Sequence, residues 1–292
     1  MVGYAEALVL FSEITLASYP ILIKSVDTNI WTQIVSRMAV YGLMSLGVLL
    51  GQPKQLASVS LANLSGGGLL NLLHVATSYK AFSELPAGNA MAIFYAYPIW
   101  NLLGAWLLKG ETIATESLPW VGLAIAGMLA IAQPDVGTLL DTEHPLALLC
   151  AVLSGVTESA IYFFFKLRGS DDGTFKGMFE LYGGSFAWIL ALIGARGAFG
   201  SMAPVPALDL SWKAWAPMLL FNGLIGFGGY AMRFAAIPMV STLIFSILSL
   251  IGIVTSYIFG YIFEGEKPSY LAIAGAIAII VANGVLLSKN KG

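Results

Sequence analysis

Residues 123–131 read LAIAGMLAI, and residues 271–279 read LAIAGAIAI. The chain thus writes nearly the same apolar block twice, once in each half of its 292 residues. Ala, Ile, Leu and Gly are frequent here, so what surrounds the block decides its meaning. Each copy follows a Gly-Glu pair, LLKGE at 107–111 and IFEGE at 262–266. Upstream of each pair stand a basic residue and then a proline, in YKAFSELP at 79–86 and MRFAAIP at 232–238. Basic residue, proline, long apolar stretch, Gly-Glu and LAIAG keep this order in both halves. The ordered set predicts an internal duplication, with halves 1–140 and 141–292.

Composition identifies the solvent. Apolar residues make up 58% of the chain and charged residues 10%, against about 25% charged in soluble domains. So few charges do not cover a water-facing surface, and the chain reads as an integral membrane protein. A net charge of −2 offers nothing to nucleic acid. The single cysteine, Cys150, lies in an apolar run, which excludes an intrachain disulfide framework and a cysteine-based metal cluster. The first apolar stretch, Ala5 to Ile23, has no basic residue before it and no clear small-residue cleavage site. It is expected to be a retained span, not a signal peptide.

A helix needs roughly 20 apolar residues to cross the ~30 Å hydrocarbon core. Ten such runs lie near 4–23, 30–50, 60–83, 87–108, 119–134, 145–166, 174–195, 213–235, 238–263 and 269–288. They are continuous, unlike the alternating strands of a membrane barrel. Five helices per half is an odd number, so the second copy must enter the membrane from the opposite side. The predicted fold class is therefore all-α and integral to the membrane: ten transmembrane helices as a 5+5 inverted-topology repeat around a central cavity. Many secondary transporters use such repeats to open a midplane site to alternate sides. Lys54, Lys109, Lys166, Arg168, Lys176, Arg233, Lys289 and Lys291 fall on the side of the N-terminus, against Lys24, Lys80, Arg196, Lys213 and Lys267. The positive-inside rule then places both termini in the cytoplasm.

The blocks YKAFSELPAGNAMAIFYAYPIWNLLGAWLLKGE…GLAIAG and MRFAAIPMVSTLIFSILSLIGIVTSYIFGYIFEGE…LAIAG carry a resemblance to the drug/metabolite transporter superfamily. It extends over essentially the whole chain and is nearest to the EamA-type branch, among bacterial amino-acid exporters of the YddG kind. The resemblance implies a basket of ten helices in the bacterial cytoplasmic (inner) membrane, with a cavity lined by helices 1, 3, 4, 6, 8 and 9. Helix 1 departs from the commonest pattern, carrying FSEITLASYP (11–20) where a Trp-Gly pair is usual.

Ionisable and polar groups inside spans are functional suspects. Glu13, beside Ser12, lies deep in helix 1, as a proton carrier, a partner for a substrate amine, or a packing carboxyl. Asn71, His74 and Ser78 share one face of helix 3, where His74 is either cavity-lining or a satisfied buried histidine. Helix 4 sets Tyr95, Tyr97 and Trp100 around Pro98, as an aromatic wall for an apolar side chain or cation or as packing around a kink. Helix 6 offers Glu158 and Tyr162, and helix 8 offers Asn222 and Tyr230. Lys80 and Arg233 occupy matching places in the halves, hence opposite ends of the cavity, to gate or steer an anion or to snorkel to the interface. Arg37 lies inside the second span, a helix that need not line the path. Gly122/Ala126 and Ala272/Ala276 have the small-xxx-small spacing of tight helix contacts, which makes the LAIAG helices scaffold.

These residues point to a secondary transporter of small organic metabolites, foremost amino acids, including aromatic and other apolar ones. Multiply charged phosphates would call for more Lys and Arg in the cavity. A choline-like cation is the alternative cargo, since tyrosines, Trp100 and Glu13 suit a cage. An intramembrane protease pairing Ser154 with His74 is a remote alternative from another class. No P-loop is present for an ATP-driven pump, and a passive channel explains an inverted repeat less well. No catalytic residue, cofactor or metal ligand is expected. The expected partners are the lipid bilayer and the small-molecule substrate, with no nucleic acid and no obligatory protein.

Overall fold

A computed structural model describes residues 3–85, 87–134, 144–169, 172–199, 208–265, 267 and 269–289. The boundary expected at 140 and 141, Pro86 of the first basic-proline motif and Glu266 of the second Gly-Glu pair lie outside them. Everything regular among the described residues is helical, with no strand. Seven helical stretches are long and apolar enough to cross a membrane: Ile30–Leu50, Ala90–Lys109, Thr115–Ala132, Pro145–Lys166, Thr174–Ala195, Thr242–Phe263 and Tyr270–Lys289.

The first half contains α1 (Tyr4–Leu16), α2 (Tyr19–Ser25), α3 (Ile30–Leu50), α4 (Pro53–Ala57), α5 (Leu61–Glu84), α6 (Ala87–Phe94), α7 (Tyr97–Lys109) and α8 (Leu118–Ala132). The second contains α9 (Pro145–Lys166), α10 (Thr174–Met178), α11 (Gly184–Phe199), α12 (Trp212–Phe221), α13 (Phe227–Ala236), α14 (Thr242–Ser249), α15 (Ile251–Phe259) and α16 (Tyr270–Lys289). Side-chain caps start several of them. Asn29 accepts from the Thr32 amide at 2.9 Å, Ser60 from Asn63 at 3.3 Å and Ser241 from Ile244 at 3.2 Å.

Three pairs of these helices are single rods broken in the middle. The α1/α2 break falls at Ala17 and Ser18, the α6/α7 break at Tyr95 and Ala96, and the α14/α15 break at Leu250. A proline enters the first turn after each of the first two breaks, where its missing N–H costs nothing and its fixed φ suits a helix start. The first break is also tied across the bundle, where Ser256 of α15 donates to the Ala17 carbonyl at 3.2 Å.

The repeated LAIAG blocks meet each other. Gly127 of α8 and Gly275 of α16 hold the same place in the two copies. A Cβ on Gly127 would come 2.6 Å from the Gly275 carbonyl oxygen, and one on Gly275 would come 2.5 Å from that of Gly127. Ala124, Met128 and Ile131 continue the buried seam on α8, as do Ala272, Ile279 and Ala282 on α16. The expected Gly122/Ala126 pair is corrected here: both face outward, because the helix is small-residued on several sides. Ala272 does lie in the seam. The Gly-Glu pairs also match. Gly110 ends α7 at φ 64° and Gly265 ends the π-helical turn after α15 at φ 70°, the left-handed conformation that closes a helix at little cost only in glycine.

Candidate functional site

The broken helices surround a cavity of about 170 Å³ whose lining comes from α1, α2, α3, α5, α6, α7, α9, α13 and α15. An ion cluster runs along it. Arg233 of α13 donates through Nη1 to Glu13 Oε1 of α1 at 2.7 Å and through Nη2 to Glu158 Oε1 of α9. The second Glu158 oxygen lies 3.1 Å from Nε2 of His74 on α5. Four elements distant in sequence thus converge on one chain of charge, all buried. The Tyr97 ring centre lies 5.2 Å from the Arg233 guanidinium, and that of Phe245 lies 5.5 Å from it.

The partners of His74 define its tautomer. Nδ1 lies 3.1 Å from the Ser154 carbonyl oxygen and 3.2 Å from the Thr157 hydroxyl oxygen. A carbonyl only accepts, so Nδ1 is the protonated donor. Nε2 then shares a hydrogen bond with the Glu158 carboxylate only when the pair carries one proton beyond a neutral imidazole and an ionised acid. The geometry provides a seat for a transferable proton. The Ser154 hydroxyl donates to the Ala151 carbonyl at 2.7 Å, so His74 meets the backbone of Ser154 and not its hydroxyl.

Arg37 reaches the same cavity from α3. Its guanidinium carbon lies 4.7 Å from the Tyr230 ring centre, 4.8 Å from Tyr19, 5.8 Å from Tyr41 and 5.9 Å from Tyr182. Tyr19 and Tyr41 share a hydroxyl–hydroxyl bond. Asn222, from the π-helical turn before α13, accepts from Tyr19 at 2.9 Å and donates to Ser36 at 3.2 Å.

Of the residues marked by the sequence, Glu13, His74, Ser78, Tyr95, Tyr97, Glu158, Tyr230 and Arg233 line the cavity. Asn222 stands behind it, holding Tyr19. Ser12 is buried and bonded back to the Val9 carbonyl at 2.7 Å. Asn71 donates to Ser185 of α11 at 2.9 Å, away from the lining. Tyr162 donates to Thr242 at 3.1 Å and does not reach the cavity. Trp100 points outward, 37% exposed, with its indole over Gly155 of α9. Lys80 pairs with Glu84 near the end of α5, whereas Arg233 sits at the centre of the ion cluster and neither snorkels nor marks a cavity end. Sequence reading does not find Arg37, Tyr19 and Tyr79 as lining residues. For Arg37 the signal exists, as an arginine deep within an apolar run.

This is an integral membrane protein of all-helical fold that encloses a charged cavity between broken helices. No family model matches the chain. It is similar to the pseudopaline exporter CntI of Pseudomonas aeruginosa, 25% identical over 226 residues that span 77% of this chain and 74% of that protein. It is also similar to human solute carrier family 35 member G1, 20% identical over 224 residues, 74% of this chain and 59% of that protein. One solved crystal structure superposes with a TM-score of 0.73 over 99% of both chains at 15% identity, a likeness of fold. By their names, one relative is an exporter and the other a solute carrier, so both are transporters.

Proposed function

We propose that the chain is a secondary transporter of small organic metabolites, amino acids foremost, working by alternating access at the cavity. In this reading it has ten spans in two inverted halves, 1–140 and 141–292, as in the EamA-type drug/metabolite transporters. It sits in a bacterial cytoplasmic membrane with both termini inside. The observation that carries the reading is the ion cluster Glu13–Arg233–Glu158–His74, buried among broken, membrane-length helices. Discontinuous helices around a midplane site are how transporters expose backbone and charge to cargo inside a bilayer.

Three of the ten expected spans are not among the seven apolar stretches: α1 with α2, α5, and α12 with α13. They are the ones that carry Glu13, His74 and Arg233. Polar site residues lower the mean hydropathy of a span, and the break after Leu16 shortens the first, which supports counting all three. The reciprocal Gly127–Gly275 contact supports the two-fold relation, since a two-fold axis brings equivalent residues face to face.

The choline-like alternative loses its cage, because Trp100 faces outward and Glu13 is already paired with Arg233. Proton coupling would run through the His74–Glu158 pair, which gains and loses one proton as the cavity changes sides.

The test is uptake of radiolabelled amino acids into liposomes containing the purified protein, without ATP and with or without a proton gradient. Saturable uptake that responds to the gradient, and a Glu158→Gln variant whose uptake no longer responds, is the expected result. No saturable uptake of any organic solute overturns the proposal.

A further inference from the structure

One charged residue of the cavity lining has no opposite charge in contact among the described residues. Arg233 faces two carboxylates, and the second oxygen of Glu158 is taken by His74. Arg37 is left over. It is 4% exposed and opens onto the same space. Among the described residues, no carboxylate oxygen stands within 4.0 Å of its side-chain nitrogens. Its Nε has no hydrogen-bond partner among them. Tyrosine rings surround the cation and the hydroxyls of Tyr79, Tyr182 and Tyr230 hydrogen-bond with it, but they bring no negative charge.

A lone buried cation is among the costliest groups a membrane protein can hold. Such a charge is retained where its partner arrives from outside. We propose that Arg37 docks the carboxylate of the transported solute, so that the cargo is a small organic carboxylate, amino acids included. The inference rests on the transporter reading and names its substrate class. One unpaired arginine matches a single negative charge; a phosphate monoester dianion would bring a surplus. The guanidinium fork suits the two oxygens of a carboxylate. The rings of Tyr19 and Tyr230 then flank the apolar part of the solute.

The test uses the full chain purified in detergent and matched ligands at constant ionic strength: 3-phenylpropionate against 3-phenylpropionamide, L-phenylalanine against L-phenylalaninamide, and phenyl phosphate. Melting temperature against ligand concentration gives apparent affinity. The carboxylates are expected to stabilise the wild type and the amides to leave it unchanged. Arg37→Gln is expected to weaken carboxylate binding by roughly 30-fold or more, as for a buried charge pair that loses one partner. Arg37→Lys should keep part of the response, since charge persists without the fork. Without ligand, Arg37→Gln should melt at or above the wild type, because it removes an uncompensated charge. A ligand-free melting temperature several degrees lower would make Arg37 a structural post of the tyrosine cluster and overturn the proposal. So would no response to any carboxylate, an equal response to amides, or phenyl phosphate outbinding both carboxylates.

Uptake of labelled L-phenylalanine and 3-phenylpropionate into liposomes separates the two readings. Carboxylate binding that Arg37→Gln abolishes, without uptake of any solute, sinks the transporter and keeps the docking site. Uptake unchanged in Arg37→Gln sinks the docking site and keeps the transporter.

Discussion

Arg233 donates to Glu13 and Glu158 from one guanidinium, so Arg233→Met leaves two buried carboxylates without their cation. Breaking such a pair by removing one partner costs about 3–5 kcal/mol, and thermal unfolding in detergent should show a loss of that order. The triple variant Glu13→Gln/Glu158→Gln/Arg233→Met removes the charges together and should recover much of the loss. A triple variant as unstable as the single one would mean that packing, not charge, holds the site. Trp100→Leu, on the outer face, should leave both stability and uptake close to wild type. Much of this residue-level picture is legible in the sequence, because Glu13, His74 and Glu158 stand out as ionisable letters in apolar runs. Arg37 stands out by the same rule, but the family resemblance gives its helix no place on the path. Ser12, Trp100 and Tyr162 show where such reading stops. In a bilayer both faces of a helix are apolar, so sequence does not say which polar group looks inward.

At the scale of the elements, the seam between α8 and α16 depends on two backbones approaching without side chains. Gly127→Leu would drive a branched side chain against the Gly275 carbonyl, and overpacking of this kind typically costs about 1–3 kcal/mol. Gly122→Leu, on the outer face of the same helix with nothing within 4 Å, is the control and should be neutral. Equal melting temperatures for the two variants would deny the seam its tightness. The recurrence of LAIAG makes the pairing of these helices legible, but not its face. Alanine and glycine lie all round both helices, and only three-dimensional packing selects Gly127 over Gly122. The helix breaks are legible only in part. Pro20 and Pro98 mark the restarts after Ser18 and Ala96, whereas the break at Leu250 has no proline and leaves no mark in the sequence.

For the whole molecule, the two ends of the bundle differ. The cavity lining extends through Ile21, Phe82, Met91 and Gly260, where α5 ends and α6 begins. At the opposite end of α5, about 33 Å away at 1.5 Å per residue, polar contacts lock the bundle. Glu180 accepts from the Ser60 amide at 2.8 Å and pairs with Arg168, while Lys166 donates to the carbonyls of Ile237 and Val240. Alternating access requires these contacts to part in the other state, so under that mechanism they belong to the closed side of a gate. Glu180→Gln weakens the lock and should shift the population toward the state open at that end, by roughly tenfold for each 1.4 kcal/mol of differential stability. The reporters are Thr242→Cys, buried beside Tyr162 near the locked end, and Ser256→Cys in the cavity lining. Both are placed in a Cys150→Ser background and treated with a membrane-impermeant thiol reagent. Glu180→Gln is expected to speed labelling at 242 and slow it at 256. Opposite changes at the two positions are the signature of one equilibrium between two states, whereas simple loosening would speed both. Unchanged rates at both positions would show that the contacts staple the bundle without gating it.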